Sequence, residues 1–267
     1  MRPKALLLHA PGTNRDLEAA QALELAGAQP EIVPLNELRA RGRRWAEYGL
    51  LVLPGGFSYA DALGAGRLLA LDLNAYFADE VRAFVQTGKP VIGICNGFQA
   101  LVKANILPGL DGTQSTQPRE ASLRDATLTF NTSGHFECRW ITLRPQSRTC
   151  AWTRGLAEPI DCPVAHGEGN FMVADSSVIA NLQLRDQIAL TYIRPDGSPA
   201  NGEYPHNPNG SIADIAGICN PQGNVLGLMP HPEDHIVLYQ HPRWRRGEKG
   251  GLGLRLFENG VQYAAQL

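Results

Sequence analysis

The chain has 267 residues, of which 43% are hydrophobic and 19% charged, with a net charge of −2. These values describe a folded protein with a sizeable core, either one large α/β domain or two small ones, and exclude a disordered chain or one whose main partner is nucleic acid. The first apolar stretch is only as long as a strand, too short for a signal peptide or a membrane span, so a cytoplasmic protein without membrane contact is expected.

Residues 4–9 read as a strand, Pro11-Gly12-Thr13-Asn14 as a turn with a capping residue, and residues 16–26 as an alanine- and leucine-rich helix closed by Gly27. Residues 31–35 and 49–53 read as further strands. The second of these is apolar throughout, as in a strand buried on both faces, and stops at Pro54-Gly55-Gly56. A helix is predicted over 72–87, a fourth strand over 91–94 and a helix over 97–105. Strands alternating with helices at this spacing predict a mostly parallel, doubly wound α/β sheet. From about residue 123 the pattern shifts to β segments at 126–131, 136–143 and 163–174, predicting an added antiparallel or mixed β portion. Strands over 212–219 and 225–229 flank the turn Asn220-Pro221-Gln222-Gly223-Asn224, and a last helix covers 251–265. The Pro/Gly/Asn-rich stretch 194–210 reads as an ordered surface loop within one domain.

The five cysteines, Cys95, Cys138, Cys150, Cys162 and Cys219, are odd in number and widely spaced, which predicts reduced thiols. No Cys-x-x-Cys pair occurs. His231 and His235 have the spacing of a metal-binding pair on a helix, yet Pro232 lies between them and no third ligand is evident, so no metal is expected.

Two distant segments carry chemistry. An apolar strand ends at Gly93-Ile94-Cys95-Asn96-Gly97, the Gly-x-nucleophile-x-Gly pattern of a strand-to-helix elbow, in which glycines tolerate the sharp turn that exposes the nucleophile. A thiol is only a few per cent ionised at neutral pH; a following helix N-terminus and a base would activate it. His231-Pro232-Glu233 supplies the base and a carboxylate to orient it, because the residue before proline is held extended and positions 231 and 233 then project to one side. The backbone amide of Asn96 and the glycine amides at Gly55 and Gly56 are candidate oxyanion donors if their strands are neighbours. Cys95 alone could equally be a small buried hydrophobe, Gly55-Gly56 loop punctuation and His231-Pro232-Glu233 a polar turn. Their joint placement at the ends of apolar strands argues against coincidence.

With these residues in hand, the chain resembles the class I, triad-type glutamine amidotransferases, and among them the glutaminase subunits of the purine pathway. The resemblance rests on residues 53–59 (LPGGFSY), 93–99 (GICNGFQ), 163–171 (PVAHGEGNF), 207–211 (NPNGS) and 227–233 (GLMPHPE), which span most of the chain. It implies a single flavodoxin-like amidotransferase domain over residues 1–267, with Cys95, His231 and Glu233 as the triad. Cys95 would attack the side-chain amide of L-glutamine, Gly56 and Asn96 would form the oxyanion hole, and Gln99 would sit beside the substrate. Ammonia would pass to a synthetase subunit that converts formylglycinamide ribonucleotide to the amidine. ATP and magnesium would bind that partner, no cofactor would bind this chain, and a small third subunit would bridge the two.

The chain departs from the family pattern at Ala60, where glycine is usual, at Gly64, where arginine is usual and Arg67 follows, and at Asp234, again in place of arginine. These changes leave the triad intact and put the partner interface that the resemblance implies, or its coupling, in doubt. Two other classes fit the elbow: a stand-alone cysteine peptidase or chaperone, which typically has histidine after the cysteine where Asn96 stands here, and an inactive binding module, which would not need an intact Cys95, His231 and Glu233. His166 and Glu168 shape a glycine-rich loop, Arg243-Trp244-Arg245-Arg246 is either solvated surface or a partner contact, and residues 41–44 are plain surface.

Overall fold

The computed structural model describes residues 2–40, 44–109 and 125–267; residues 41–43 of the basic run and the start of the pattern shift near 123 lie outside them. A nine-stranded sheet runs through the molecule. Its parallel part is β2 (Gln29–Pro34), β1 (Lys4–His9), β3 (Leu50–Leu53), β4 (Val91–Ile94) and β11 (Val225–Leu228), in that spatial order. Apart from β11, this is the 2-1-3-4 order of a flavodoxin-like sheet. β3, β4 and β11 are buried at every residue, which is why they read as unbroken apolar runs.

Beyond β11 the sheet turns antiparallel through β10 (Ile215–Cys219), β9 (Ile188–Ile193), β6 (Glu137–Pro145) and β7 (Ile160–His166). A separate two-stranded sheet pairs β5 (Ala126–Thr129) with β8 (Asn170–Val173). Helices α1 (Asp16–Leu25), α2 (Leu35–Arg39), α3 (Arg67–Tyr76), α4 (Ala78–Gln86), α5 (Asn96–Lys103), α6 (Ser176–Leu184) and α7 (Leu254–Ala264) complete the fold.

Several expectations need correction. The helix predicted over 72–87 is two helices, α3 and α4, separated at Phe77, whose backbone is non-helical (φ −131°) and whose buried ring lies 5.6 Å from that of Trp45. The segment 163–174 is not one strand: Gly167 to Gly169 turn the chain from β7 into β8 of the other sheet. The strand expected from 212 starts at Ile215, because Ala213 and Asp214 hold positive φ angles of 52° and 55°. Asn14 does not cap α1, whose N-cap position is Arg15 without a side-chain bond. The 194–210 loop is ordered but only partly at the surface, since Asn207 and Asn209 are buried and Asp214 accepts from Asn201 N, Gly202 N and Asn207 Nδ2 at 2.7, 2.8 and 2.9 Å.

Register decides what the fold brings together. Leu53 lies opposite Gly93, Gly93 opposite Gly227, and Ile94 opposite Leu228, so β3, β4 and β11 end side by side at the carboxyl edge of the sheet. The loops that follow them, at Pro54, Cys95 and Met229, therefore open into one place, the edge at which ligands bind in such sheets.

Candidate active site

Cys95 occupies the elbow between β4 and α5 with φ 48° and ψ −103°, a backbone conformation that costs energy for any residue with a side chain. Close approach makes glycine necessary at both flanks. A Cβ on Gly97 would run into the backbone carbonyl of Leu53, and one on Gly93 would come within 2.8 Å of Gly97. The first turn of α5 begins at Asn96, so its free amides and the positive end of its dipole lie next to the sulfur. The Cys95 thiol is 3.8 Å from the carbonyl oxygen of Ala165 in β7.

His231 and Glu233 stand at the start of the turn after β11, and His231 Nδ1 meets Glu233 Oε1 at 2.7 Å with both side chains buried. Pro163 in β7 fixes the turn by accepting the His231 backbone N–H at 2.9 Å. His231 Nε2 is buried with no other hydrogen-bond partner among the described residues, which leaves it available to the sulfur. Burial pulls the imidazole pKa down, but the Glu233 carboxylate and the Cys95 sulfur outweigh it and hold the ring well above its ordinary value. The site thus favours the charged form that the ring reaches on accepting a proton from the thiol.

Gly55 and Gly56 border the same space. A Cβ on Gly55 would lie 2.7 Å from His231 Cε1 and 3.5 Å from Cys95 Cβ, and one on Gly56, which holds φ 138°, would lie 2.6 Å from the backbone N of Asn14. The loop is tied to the turn after β1 by Phe57 N to Gly12 O at 2.9 Å and Arg15 N to Gly55 O at 3.3 Å.

The side chains of Asn96 and Gln99 are engaged in holding loops. Asn96 Oδ1 accepts from Ser58 Oγ (2.5 Å) and Ser58 N (3.3 Å), while its Nδ2 donates to Asp61 Oδ1 (2.9 Å) and Gln99 Oε1 (3.1 Å). Gln99 Nε2 donates to the carbonyl of Glu168 at 2.6 Å, so both ends of its amide are occupied. Arg15 carried no motif of its own, and Ser58, inside the 53–59 motif, and Asp61 just after it were given no role there; the clue to both was adjacency to the Pro54-Gly55-Gly56 turn. His235 Nδ1 meets the carbonyl of Asp161 at 2.5 Å, and the described residues contain no group of three or more histidine, cysteine or acidic side chains placed to hold an ion.

A doubly wound sheet with a cysteine elbow and a histidine–glutamate pair at its carboxyl edge defines the class I amidotransferase architecture, and the chain belongs to the CobB/CobQ-like glutamine amidotransferase family, whose profile matches residues 2–264. Within that family the chain is 56% identical to phosphoribosylformylglycinamidine synthase subunit PurQ of Treponema denticola, over 98% of this chain and 99% of that one. It is 43% identical to the subunit of the same name in Dehalococcoides mccartyi, over 99% and 98% of the two chains. A chain in the solved structure of PurLQS from Thermotoga maritima superposes with a TM-score of 0.72 at 30% identity, covering 98% of this chain and 99% of that one.

Proposed function

We propose that this chain is the glutaminase subunit of a formylglycinamidine ribonucleotide synthase, hydrolysing L-glutamine through Cys95, His231 and Glu233. The observation that carries the reading is the buried His231–Glu233 pair, 2.7 Å apart, set beside the strained Cys95 elbow by the common end of β4 and β11. His231 Nε2 takes the thiol proton, and the sulfur forms a bond to the side-chain amide carbon of glutamine. The carbonyl electrons move onto oxygen, which the backbone N–H groups of Gly56 and Asn96 receive. Collapse of this intermediate breaks the carbon–nitrogen bond, and His231 returns its proton to the leaving nitrogen as ammonia departs. Water, deprotonated by His231, then attacks the glutamyl thioester and releases glutamate and the free thiol. Glu233 holds the imidazole in the tautomer that makes these transfers possible and stabilises its charged form.

The ammonia serves a synthetase subunit, with a small third subunit completing the assembly; similarity to a chain of PurLQS from Thermotoga maritima supports this reading. ATP and magnesium act on the synthetase, and the complex works in the cytoplasm. Phe57, directly after Gly56, is 43% exposed and stacks on Phe136, 53% exposed, at 6.3 Å between centroids; apolar surface of this kind beside the cleft suits a docking partner. Glutamine hydrolysis is measured on wild type and Cys95→Ala, with and without the synthetase, nucleotide and ribonucleotide. Weak activity alone, strong stimulation in the complex and none in Cys95→Ala are expected. Full activity of the isolated wild type would contradict gating by the partner, and turnover by Cys95→Ala would contradict the mechanism.

A further inference from the structure

One residue outside the triad joins both halves of the catalytic edge. Arg15, immediately before α1, donates its backbone N–H to Gly55 O at 3.3 Å, and its guanidinium lies 3.6 Å from Asp234 Oδ1 in the turn that carries His231 and Glu233. Glu18 Oε1, one helical turn on, steadies the same Nη1 at 3.0 Å. In a trans peptide the carbonyl and the next N–H point to opposite sides, so holding Gly55 O toward α1 fixes the direction of the Gly56 N–H.

The charges make the link necessary. Asp234 is mostly buried, with 19% of its side chain exposed, and sits next in sequence to Glu233, whose Oε2 is buried without a partner among the described residues. Burial, and then the Glu233 charge, push the Asp234 carboxyl up to about 6, while His231 and Arg15 pull the other way. Two neighbouring carboxylates in one turn repel each other, and the Arg15 guanidinium acts by charge on both.

We propose that Arg15 is a positioning residue for glutamine hydrolysis, holding the loop of Gly55 and Gly56 through its backbone and the His231–Glu233 turn through its side-chain pairing with Asp234. The proposal rests on Cys95 being the glutaminase nucleophile. Turnover by Cys95→Ala would refute that premise, whereas the Arg15 variants test the positioning alone.

The experiment uses the assembled complex, with active sites counted by alkylation of Cys95 with a glutamine analogue so that misfolded protein does not enter the rate. Arg15→Ala is expected to lower kcat about tenfold, with KM for glutamine within about twofold of wild type, because Arg15 acts on the geometry of the reacting groups and does not bind the substrate. Arg15→Lys, which keeps the charge, restores most of the loss. Asp234→Arg alone is the most damaging, since it sets like charges together, and the exchanged pair Arg15→Glu with Asp234→Arg recovers activity relative to it. A kcat per active site within twofold of wild type in Arg15→Ala, an Arg15→Lys as slow as Arg15→Ala, or an exchanged pair no better than Asp234→Arg would each overturn the proposal.

Discussion

Ala60 is held at φ 54°, between Tyr59 at 56° and Asp61 at 52°, a run of left-handed residues close after the Gly55–Gly56 loop. Such a backbone costs an alanine about 1 kcal/mol or more, which is the physical content of a family preference for glycine there. The surrounding bonds sustain it: Asp61 holds the Asn96 amide at 2.9 Å, and Tyr59 Oη donates to Asp72. Ala60→Gly is therefore expected to stabilise the protein by up to about 1 kcal/mol, the relief of strain being partly offset by the freer unfolded chain. A denaturant midpoint that falls in Ala60→Gly would contradict the left-handed turn. His166 offers a second residue-scale test. Asn131 Nδ2 donates to the carbonyls of His135 (2.9 Å) and His166 (2.8 Å), so its Oδ1 must accept, from Gly169 N (3.0 Å) and from His166 Nδ1–H (3.1 Å). Burial, with a smaller contribution from His231, lowers the His166 pKa from 6.5 to about 3, and the ring is neutral at physiological pH. Because the unfolded chain takes up a proton below 6.5 and the folded chain does not until about 3, this residue removes stability as pH falls through that window. Urea titrations at stepped pH should show a loss on the order of a few kcal/mol across it that is absent in His166→Gln. Parallel pH profiles for the two proteins would rule out the buried neutral ring.

The elbow works as an element because β4, α5 and β3 meet with no space between them. Gly97 lies against the carbonyl of Leu53, and a Cβ added to it would come within 2.8 Å of Leu53 Cβ. Gly97→Ala must push α5 away from β3, and a loss of about 2–3 kcal/mol is expected in thermal unfolding, together with a fall in kcat as the Asn96 amide moves. A variant as stable as wild type would mean that the helix does not approach so closely. This part of the molecule was legible in the sequence because short apolar runs ending in glycine have few alternatives. Val91 to Ile94 matched to the residue, and the glycines at 93 and 97 marked the turn. What could not be read depends on contacts between distant residues. Nothing local breaks the helix at Phe77, which leaves the helical path to rest on Trp45. The pairing of β7 with β6 and of β8 with β5 was equally hidden, since an alternating pattern does not say which sheet a strand joins. Arg15 had no signal either, for its partners Gly55 and Asp234 lie 40 and 219 positions further along the chain.

At the scale of the whole molecule, the sheet assembles a site from segments that are remote in sequence. Parallel pairing of β4 with β11 places the Cys95 elbow beside the His231–Glu233 turn, and the antiparallel strands beyond β11 return β7 to close the other side, through Pro163 and Ala165. The antiparallel portion thus borders the candidate site as well as the core. The same layout leaves Phe57 and Phe136 exposed beside the cleft, the surface proposed above for docking of a partner. The central claim is that Cys95 carries the glutamyl group. Its most direct test is intact mass and peptide mapping of the complex after acid quench during glutamine turnover. One glutamyl group on the peptide containing Cys95 is the predicted result, and glutamine consumed with no adduct there, or with the adduct on another residue, would contradict it.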